Sequence, residues 1–418
     1  MFVGIENTPR DYAWGSDSAI SDLLGIAPTG RPEAELWFGS HPGSPARIVD
    51  PGQVNGARDL AEWISANSSD ALGTHPRMPL LLKVLAAGSP LSLQAHPSAA
   101  QAQEGFAREN ALGVRLDAPE RNYKDPYPKP EIIYALSERF EALCGFRPVA
   151  ETVQLVRALG LEELAERLET HPLADVVQWL ITRGNGVAAL VDRVRALAVS
   201  GVPLAASAAP KMKEIDAERA AIDAETAEPR PNSFILGDRV EATLETVRML
   251  AEQYPGDPGI VVSLLLNRVT LLRGETLYLP AGNVHAYLQG VGIELMTASD
   301  NVLRGGLTAK HIDVDELLRI VEFTPIVVPY LSPTPIAGST SAEEFRPDGV
   351  GFALAHVQGT ARYDVTGPSI ALCIAGEMTI DGASGTCRLG RGDAVYITPD
   401  EATLTFGGSG ELFLATTS

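Results

Sequence analysis

Two stretches of this chain repeat one another. RGETLYLPAGNVHAYLQG (273–290) aligns without a gap to RGDAVYITPDEATLTFGG (391–408). Arg-Gly followed by an acid opens both, Tyr278 matches Tyr396, and Gly290 matches Gly408. A glycine-acid turn, a strand, a turn and a second strand form the unit that small antiparallel barrels and jelly rolls repeat. Two copies imply two such barrels. The copies differ at one position that matters for chemistry: His285 in the first is Thr403 in the second. The second copy keeps the scaffold and lacks the potential ligand, so the first barrel is expected to be chemical and the second structural.

The rest of the chain fits around these units. At 418 residues it exceeds a single hydrophobic core. The first 136 residues are rich in Gly and Pro, and MPLLLKVLAA (78–87) and PLSLQAH (90–96) read as strands. From 137 to 256 the texture turns helical. VAETVQLVRAL (149–159), GLEELAERLE (160–169) and GDRVEATLETVRMLAEQY (237–254) show helical periodicity, the last with Val240, Leu244, Val247 and Ala251 on one stripe. KEIDAERAAIDAETAEPRPNS (213–233) is expected to form an exposed helix followed by a loop. Strands resume with IVVSLLLNRVTLL (260–272), ETLYLP and HAYLQG. They dominate again from 322 to 418, with SIALCIAG, EMTIDG, DAVYITP and ELFLATT. The expected fold is mainly β with an α-helical insertion. One barrel is built from 1–136 and 257–321, a helical domain from 137–256, and a second barrel from 322–418.

Within the first barrel, LSLQAHPS (91–98) places Gln94 and His96 two apart, on one face of a strand. Ser92 shares that parity. Lys129 and Glu131 share theirs in YKDPYPKPEII (123–133), where Pro130 stiffens the approach to Glu131. Together with His285, these segments offer two imidazoles, one carboxylate and one amide oxygen. The set has no thiolate; it suits zinc, while manganese, iron and nickel also accept such donors. The bland alternative is that each histidine is a hydrogen-bonded core residue.

Charge narrows the ligand. The formal net charge is −20, which argues against nucleic acid and anionic membrane as partners. Against that background Lys124, Lys129, Arg304 and Lys310 gather in or beside the candidate segments. With a metal they suggest a phosphate or carboxylate pocket. Three cysteines, widely spaced and without a C-x-x-C, argue against disulfides and against a cysteine-based zinc site. The start of the chain lacks the features of a signal peptide, and a cytoplasmic protein, most simply a monomer, is expected.

LSLQAHP, KPE, NVHAYL and SDNVLRGGLTAKHIDV, in this order and at these separations, resemble type I phosphomannose isomerases. YAWGS (12–16) and ELWFGSHPGSPA (35–46) resemble that family's first motifs. The resemblance implies two cupin (double-stranded β-helix, or jelly-roll) domains plus the helical domain. It also implies a zinc-dependent aldose–ketose isomerase, with one Zn2+ per chain, interconverting mannose 6-phosphate and fructose 6-phosphate. Its metal ligands fall on Gln94, His96, Glu131 and His285, and its active-site arginine on Arg304. This chain reads RGGLTAKH where many members read RAGLTPK, so Gly305 and Ala309 depart from the pattern without touching a ligand.

An aldose–ketose shift moves a proton between neighbouring carbons through an enediolate. It therefore needs a positive field at the oxygens, a proton shuttle and a phosphate grip. Arg304 supplies fixed charge; its competing role is an ion pair with Asp300. Glu294, Tyr287, Asp300 and Lys310 are the candidate proton-handling groups, with a metal-bound water as another and with Glu294 alternatively orienting a ligand. Ser92, Lys129, Lys310 and Asp300 are the candidate substrate contacts, and His41 and Trp37 are expected to pack nearby. A sugar-binding bicupin without turnover and a cupin metal oxygenase or decarboxylase remain alternatives; Gln94 and the lysines favour a phosphosugar.

Overall fold

The computed structural model describes residues 1–200, 236–339 and 341–417. Its axis is one long strand, His285–Thr297. The first part of this strand pairs with Leu93–Ala95 and with Arg139–Phe146, so that His285 lies opposite both Gln94 and Cys144. From Gly290 onward it pairs with Leu80–Ala87 on one side and Glu131–Ala135 on the other. The change of partner falls at Gly290, whose φ is +130°. A Cβ there would stand 2.7 Å from the Phe140 ring, so only glycine lets the strand bend and serve both walls of the barrel. Leu303–Gly306 and Glu35–Phe38 extend the sheet at its ends.

The strand Leu80–Ala87 is buried on both faces, and the two faces do different things. Leu80, Leu82, Val84 and Ala86 point outward. They pack with Ile132, Tyr134, Ile293 and Leu295 against Phe345, Leu354, Ile370, Leu372 and Phe413 of the C-terminal sheet. Leu81, Lys83 and Leu85 point the other way, into the first barrel; Leu81 packs with Trp37 and Met296. These strands are thus a middle layer, with one face turned into their own sheet and the other packed on a second sheet.

That second sheet has eight strands and faces one of four. Val357, Tyr363, Ala371, Met378, Ile380, Val395, Phe406 and Leu414 fill the space between them. The repeat is realised in three dimensions. Thr276–Leu279 and Ala394–Ile397 occupy equivalent positions of the alignment, and the second strands begin at His285 and at Thr403. Gly274 and Gly392 have φ of +94° and +92°, and Gly290 and Gly408 both +130°. Thr403 donates to the Asp364 carboxylate at the surface.

Helices Val149–Ala158, Glu162–Thr170, Leu173–Ile181, Val187–Ser200 and Leu236–Gln253 form a layer around Leu155, Leu164, Val176, Leu180 and Val191. Val240, Leu244 and Val247 are buried on the predicted stripe. Among the described residues no helix is long and apolar enough to cross a membrane. The helix expected at 213–233 lies outside the described residues.

Several expectations need correction. Phe2–Glu6 pairs with Ala394–Ile397, so the first strand lies in the C-terminal sheet. Arg139–Phe146 pairs with His285–Gln289 and so belongs to the sheet of the long strand, across the expected boundary at 136. IVVSLLL does not start as a strand. Gly259–Val262 is a helical turn, and the strand begins at Leu266. The Asp257 carboxylate accepts the Gly259 N–H at 2.7 Å and starts that turn. A run buried on every side carries no periodicity to reveal it. The helix Ala99–Ala111 also went unread. Its signal was present: Ser98 and Gln101 form a capping box directly after the LSLQAHP strand.

Candidate metal centre and active site

His96, Glu131 and His285 converge, with their potential ligand atoms all within 4.8 Å of one another. Each comes from a different segment. His96 follows the short strand Leu93–Ala95, Glu131 opens the strand after Pro130, and His285 opens the long strand. The turn before His285 ties the segments together, because Gly282 N–H donates to the His96 carbonyl at 2.9 Å.

The hydrogen bonds set the tautomers. His96 Nδ1 lies 2.8 Å from the Asn301 carbonyl and His285 Nδ1 lies 3.0 Å from the Asn283 carbonyl. A carbonyl only accepts, so both Nδ1 atoms carry the proton and both Nε2 atoms present lone pairs. Each Nε2 then faces a Glu131 oxygen at 3.4 Å. His96 Nε2, His285 Nε2 and Glu131 Oε2 are buried, and none finds a hydrogen-bond partner among the described residues. Three buried acceptors aimed at one point are mutually repulsive unless a cation lies between them. The donor set fits zinc. Burial, helped by the nearby Lys129 charge, pushes His96 down to about 4, so its imidazole is neutral at physiological pH and able to donate a lone pair. Burial alone would raise Glu131, but the Lys129 ammonium at 2.9 Å and the two neighbouring imidazoles together outweigh it and hold the carboxylate ionised.

Gln94 stands directly across the strand pair from His285 and also across from Arg304. Residues opposite one another in antiparallel strands share a face, which puts Gln94 beside the histidine and the arginine. Arg304 makes no ion pair with any described residue, Asp300 included. Asp300 instead pairs with His41, whose Nε2 is 3.2 Å from Oδ2. His41 Nδ1 accepts from Gly43 N–H, so Nε2 carries the proton and donates. Partial burial and the Arg304 charge lower the Lys310 ammonium. These two cations influence each other, and neither is ion-paired with a described residue in this acidic chain.

Behind the cluster lies a second charge group. Lys83 Nζ is 2.7 Å from Glu294 Oε2 and 3.2 Å from Glu35 Oε1, and Trp37 Nε1 donates to Glu35 Oε2 at 3.0 Å. Burial raises Glu294 above the usual carboxylate range, against the pull of Lys83. Burial first, then the Glu294 and Glu131 charges, hold the Tyr287 phenol well above its ordinary value, so it stays protonated.

Some assignments change. Lys124 leaves the basic group, because its ammonium bonds to the Leu116 carbonyl at 2.5 Å. His41 does more than pack, since it orients Asp300. Sequence reasoning missed Lys83, although a lone lysine inside an eight-residue apolar strand was a signal. It also missed the clamp made by Asn301. Ser92 is half-buried just before the Leu93–Ala95 strand.

Comparisons with known proteins agree with this geometry. The description "Phosphomannose isomerase type I, catalytic domain" matches residues 2–149. A mannose-6-phosphate isomerase of Escherichia coli is 34% identical over 421 residues, covering 97% of each chain. The Homo sapiens mannose-6-phosphate isomerase is 33% identical, covering 76% of this chain and 72% of its own. A zinc-bound mannose 6-phosphate isomerase crystal structure superposes with a TM-score of 0.81 at 32% identity, over 100% of this chain and 99% of its own. A chain with this fold and this buried His–Glu–His group belongs to the type I phosphomannose isomerase family.

Proposed function

We infer that this chain is a zinc-dependent isomerase interconverting mannose 6-phosphate and fructose 6-phosphate. The observation that carries the reading is the trio of buried, unpartnered acceptors on His96, Glu131 and His285. In this reading Gln94, His96, Glu131 and His285 hold one zinc ion. When bound, zinc supplies Lewis acidity that stabilises negative charge on the sugar oxygens.

The remaining tasks fall to the protein. Arg304, without an ion-pair partner among the described residues, adds fixed positive charge beside the developing enediolate. Lys310, with Ser92 and Lys129, grips the phosphate. Asp300, oriented by His41, receives a sugar hydroxyl. Glu294 moves the proton between the two carbons. Its raised proton affinity brings it nearer to the carbon acid it must deprotonate, and Lys83 compensates its charge. Tyr287, kept protonated, serves as a donor rather than a base.

The same reading assigns two cupin-type barrels, the first interrupted by the helical domain. The equivalent turns and glycines of the repeat support this. Domain limits near 136, 256 and 321 are part of the proposal, with Phe2–Glu6 and Arg139–Phe146 exchanged as their pairings require. A monomeric enzyme belongs to it as well, and light scattering tests that. The decisive assay couples fructose 6-phosphate formation from mannose 6-phosphate to a dye. Absence of turnover in zinc-replete protein overturns the reading and leaves a binding protein in its place.

A further inference from the structure

We propose that Asn301 is a positioning residue of the metal centre, a single residue whose backbone carbonyl orients His96 and whose side chain fixes the approach of Lys129 and Glu131. It is fully buried. Its carbonyl accepts the His96 Nδ1 proton at 2.8 Å. Its side chain reaches across to the segment that leads into Lys129 and Glu131. There Oδ1 accepts from Lys124 N–H at 2.7 Å and Asp125 N–H at 3.3 Å. On the other side Nδ2 donates to the Asp125 carbonyl at 2.7 Å and the Tyr127 carbonyl at 2.9 Å.

A primary amide offers two donor hydrogens and two acceptor lone pairs, and here all four are used on one loop. No other side chain of this size can do that. Aspartate keeps the acceptors and loses the donors. Leucine keeps the shape and loses both. The clamp matters for the metal because its two ends are rigidly coupled. The backbone of Asn301 sets the His96 ring and its side chain sets a loop ending at Pro130, whose fixed φ passes that placement to Glu131. Ser299 and Asp125 reinforce the same junction. Ser299 Oγ lies 2.9 Å from the Asp125 carboxylate, which also accepts the Asp300 N–H at 2.9 Å. The residue between Asp300 and the Arg304 strand thus holds two ligands in register without touching substrate.

This inference rests on reading His96 and Glu131 as zinc ligands, and its test separates the two. Zinc affinity is measured on chelator-stripped, refilled full-length protein by competition with a zinc-sensitive dye, for wild type, Asn301→Asp, Asn301→Ala and Tyr396→Phe. Tyr396→Phe is the stability control. It removes a buried hydrogen bond to the Ala71 carbonyl from a strand of the C-terminal sheet that carries none of the candidate ligands. Loss of a group that orients metal ligands typically weakens affinity about 10- to 100-fold. At least tenfold weaker zinc in the Asn301 variants, with Tyr396→Phe unchanged, supports the proposal. Folded Asn301 variants with wild-type affinity overturn it, as does an equal loss in Tyr396→Phe. If neither Asn301 variant folds, Ser299→Ala decides: a loss of about threefold, the scale of one modest hydrogen bond, is expected, and no loss overturns the clamp. A wild-type protein without one tightly bound zinc overturns the reading of the site, and this inference with it.

Discussion

Lys83 and Glu294 face each other across two paired strands, with Nζ 2.7 Å from Oε2 and both side chains almost wholly buried. Burial by itself would strip the lysine of its charge. The carboxylates of Glu294 and Glu35 reverse that and keep the ammonium. The lysine in turn restrains the rise that burial forces on Glu294. A carboxyl group with raised proton affinity and its counter-charge are thus built into this sheet, on strands whose opposite faces are pinned by the second sheet.

Lys83→Met tests the proposed role of Glu294. A base works only when deprotonated, so turnover falls as pH drops through its titration. Removing the ammonium makes Glu294 hold its proton more tightly. The acid limb of the kcat–pH profile is therefore expected to move to higher pH, with lower turnover at neutrality. The variant also leaves carboxylates buried without a cation, a loss on the order of 3–5 kcal/mol, visible as a lower thermal midpoint. An acid limb that stays in place in a folded variant would show that another group titrates.

His285→Ala removes one of the two imidazoles. Metal content and turnover are expected to disappear together, because zinc sites depend on a complete ligand set. A ligand that binds only the folded state stabilises it by mass action. A chelator should therefore lower the thermal midpoint of the wild type and leave that of His285→Ala where it is. Stoichiometric zinc retained in the variant would refute the ligand assignment.

The site was more legible than its surroundings, for physical reasons. Gln94 and His96 share a strand parity, and Glu131 and His285 are donor types in other segments, but it was the family resemblance of the motifs around all four that gathered them into one candidate set. The repeat at 273–290 and 391–408 could be read because turn glycines such as Gly274 and Gly392 must have positive φ. What escaped depends on partners that sequence does not display. Lys83 looks like an anomaly in an apolar strand until Glu294 and Glu35 are placed beside it. Asn301 looks like one more polar loop residue until its four bonds are counted. Phe2–Glu6 pairs with a strand nearly four hundred residues away, which no local pattern announces. The turn at Gly259 is hidden inside a Val/Ile run that is buried on all sides.

Arg304→Ala should cut turnover by about a hundred- to a thousandfold, the scale of removing one preorganised transition-state donor, while zinc content stays at the wild-type level. With Asp300 bound to His41 and no ion pair to a described residue, the guanidinium should be replaceable without loss of stability. The neighbouring Lys310→Ala should instead raise KM chiefly, as expected of a group that grips phosphate in ground and transition state alike. Metal analysis alongside kcat and KM checks both. Unchanged turnover in Arg304→Ala would return the residue to a structural role.

The outer face of this strand layer predicts what the C-terminal sheets are for. Tyr134 sits three residues after Glu131, on the opposite face of the same strand. Its ring meets Phe413 edge-on at 4.9 Å between centroids and Phe345 at 5.4 Å. Leu82, Val84 and Leu295 lie in the same apolar layer. Phe413→Ala leaves a void there and should cost about 3–5 kcal/mol. The variant should show a lower thermal midpoint with unaltered zinc stoichiometry and near-normal kcat in the fraction that remains folded. A chain ending at residue 321 removes the covering sheet altogether and strands Phe2–Glu6 without its partner. It should be recovered aggregated, because the exposed apolar sheet face exceeds what a soluble monomer tolerates. A soluble, monomeric and active 1–321 fragment, measured by light scattering and the coupled assay, would show that the C-terminal sheets are dispensable to the rest of the chain.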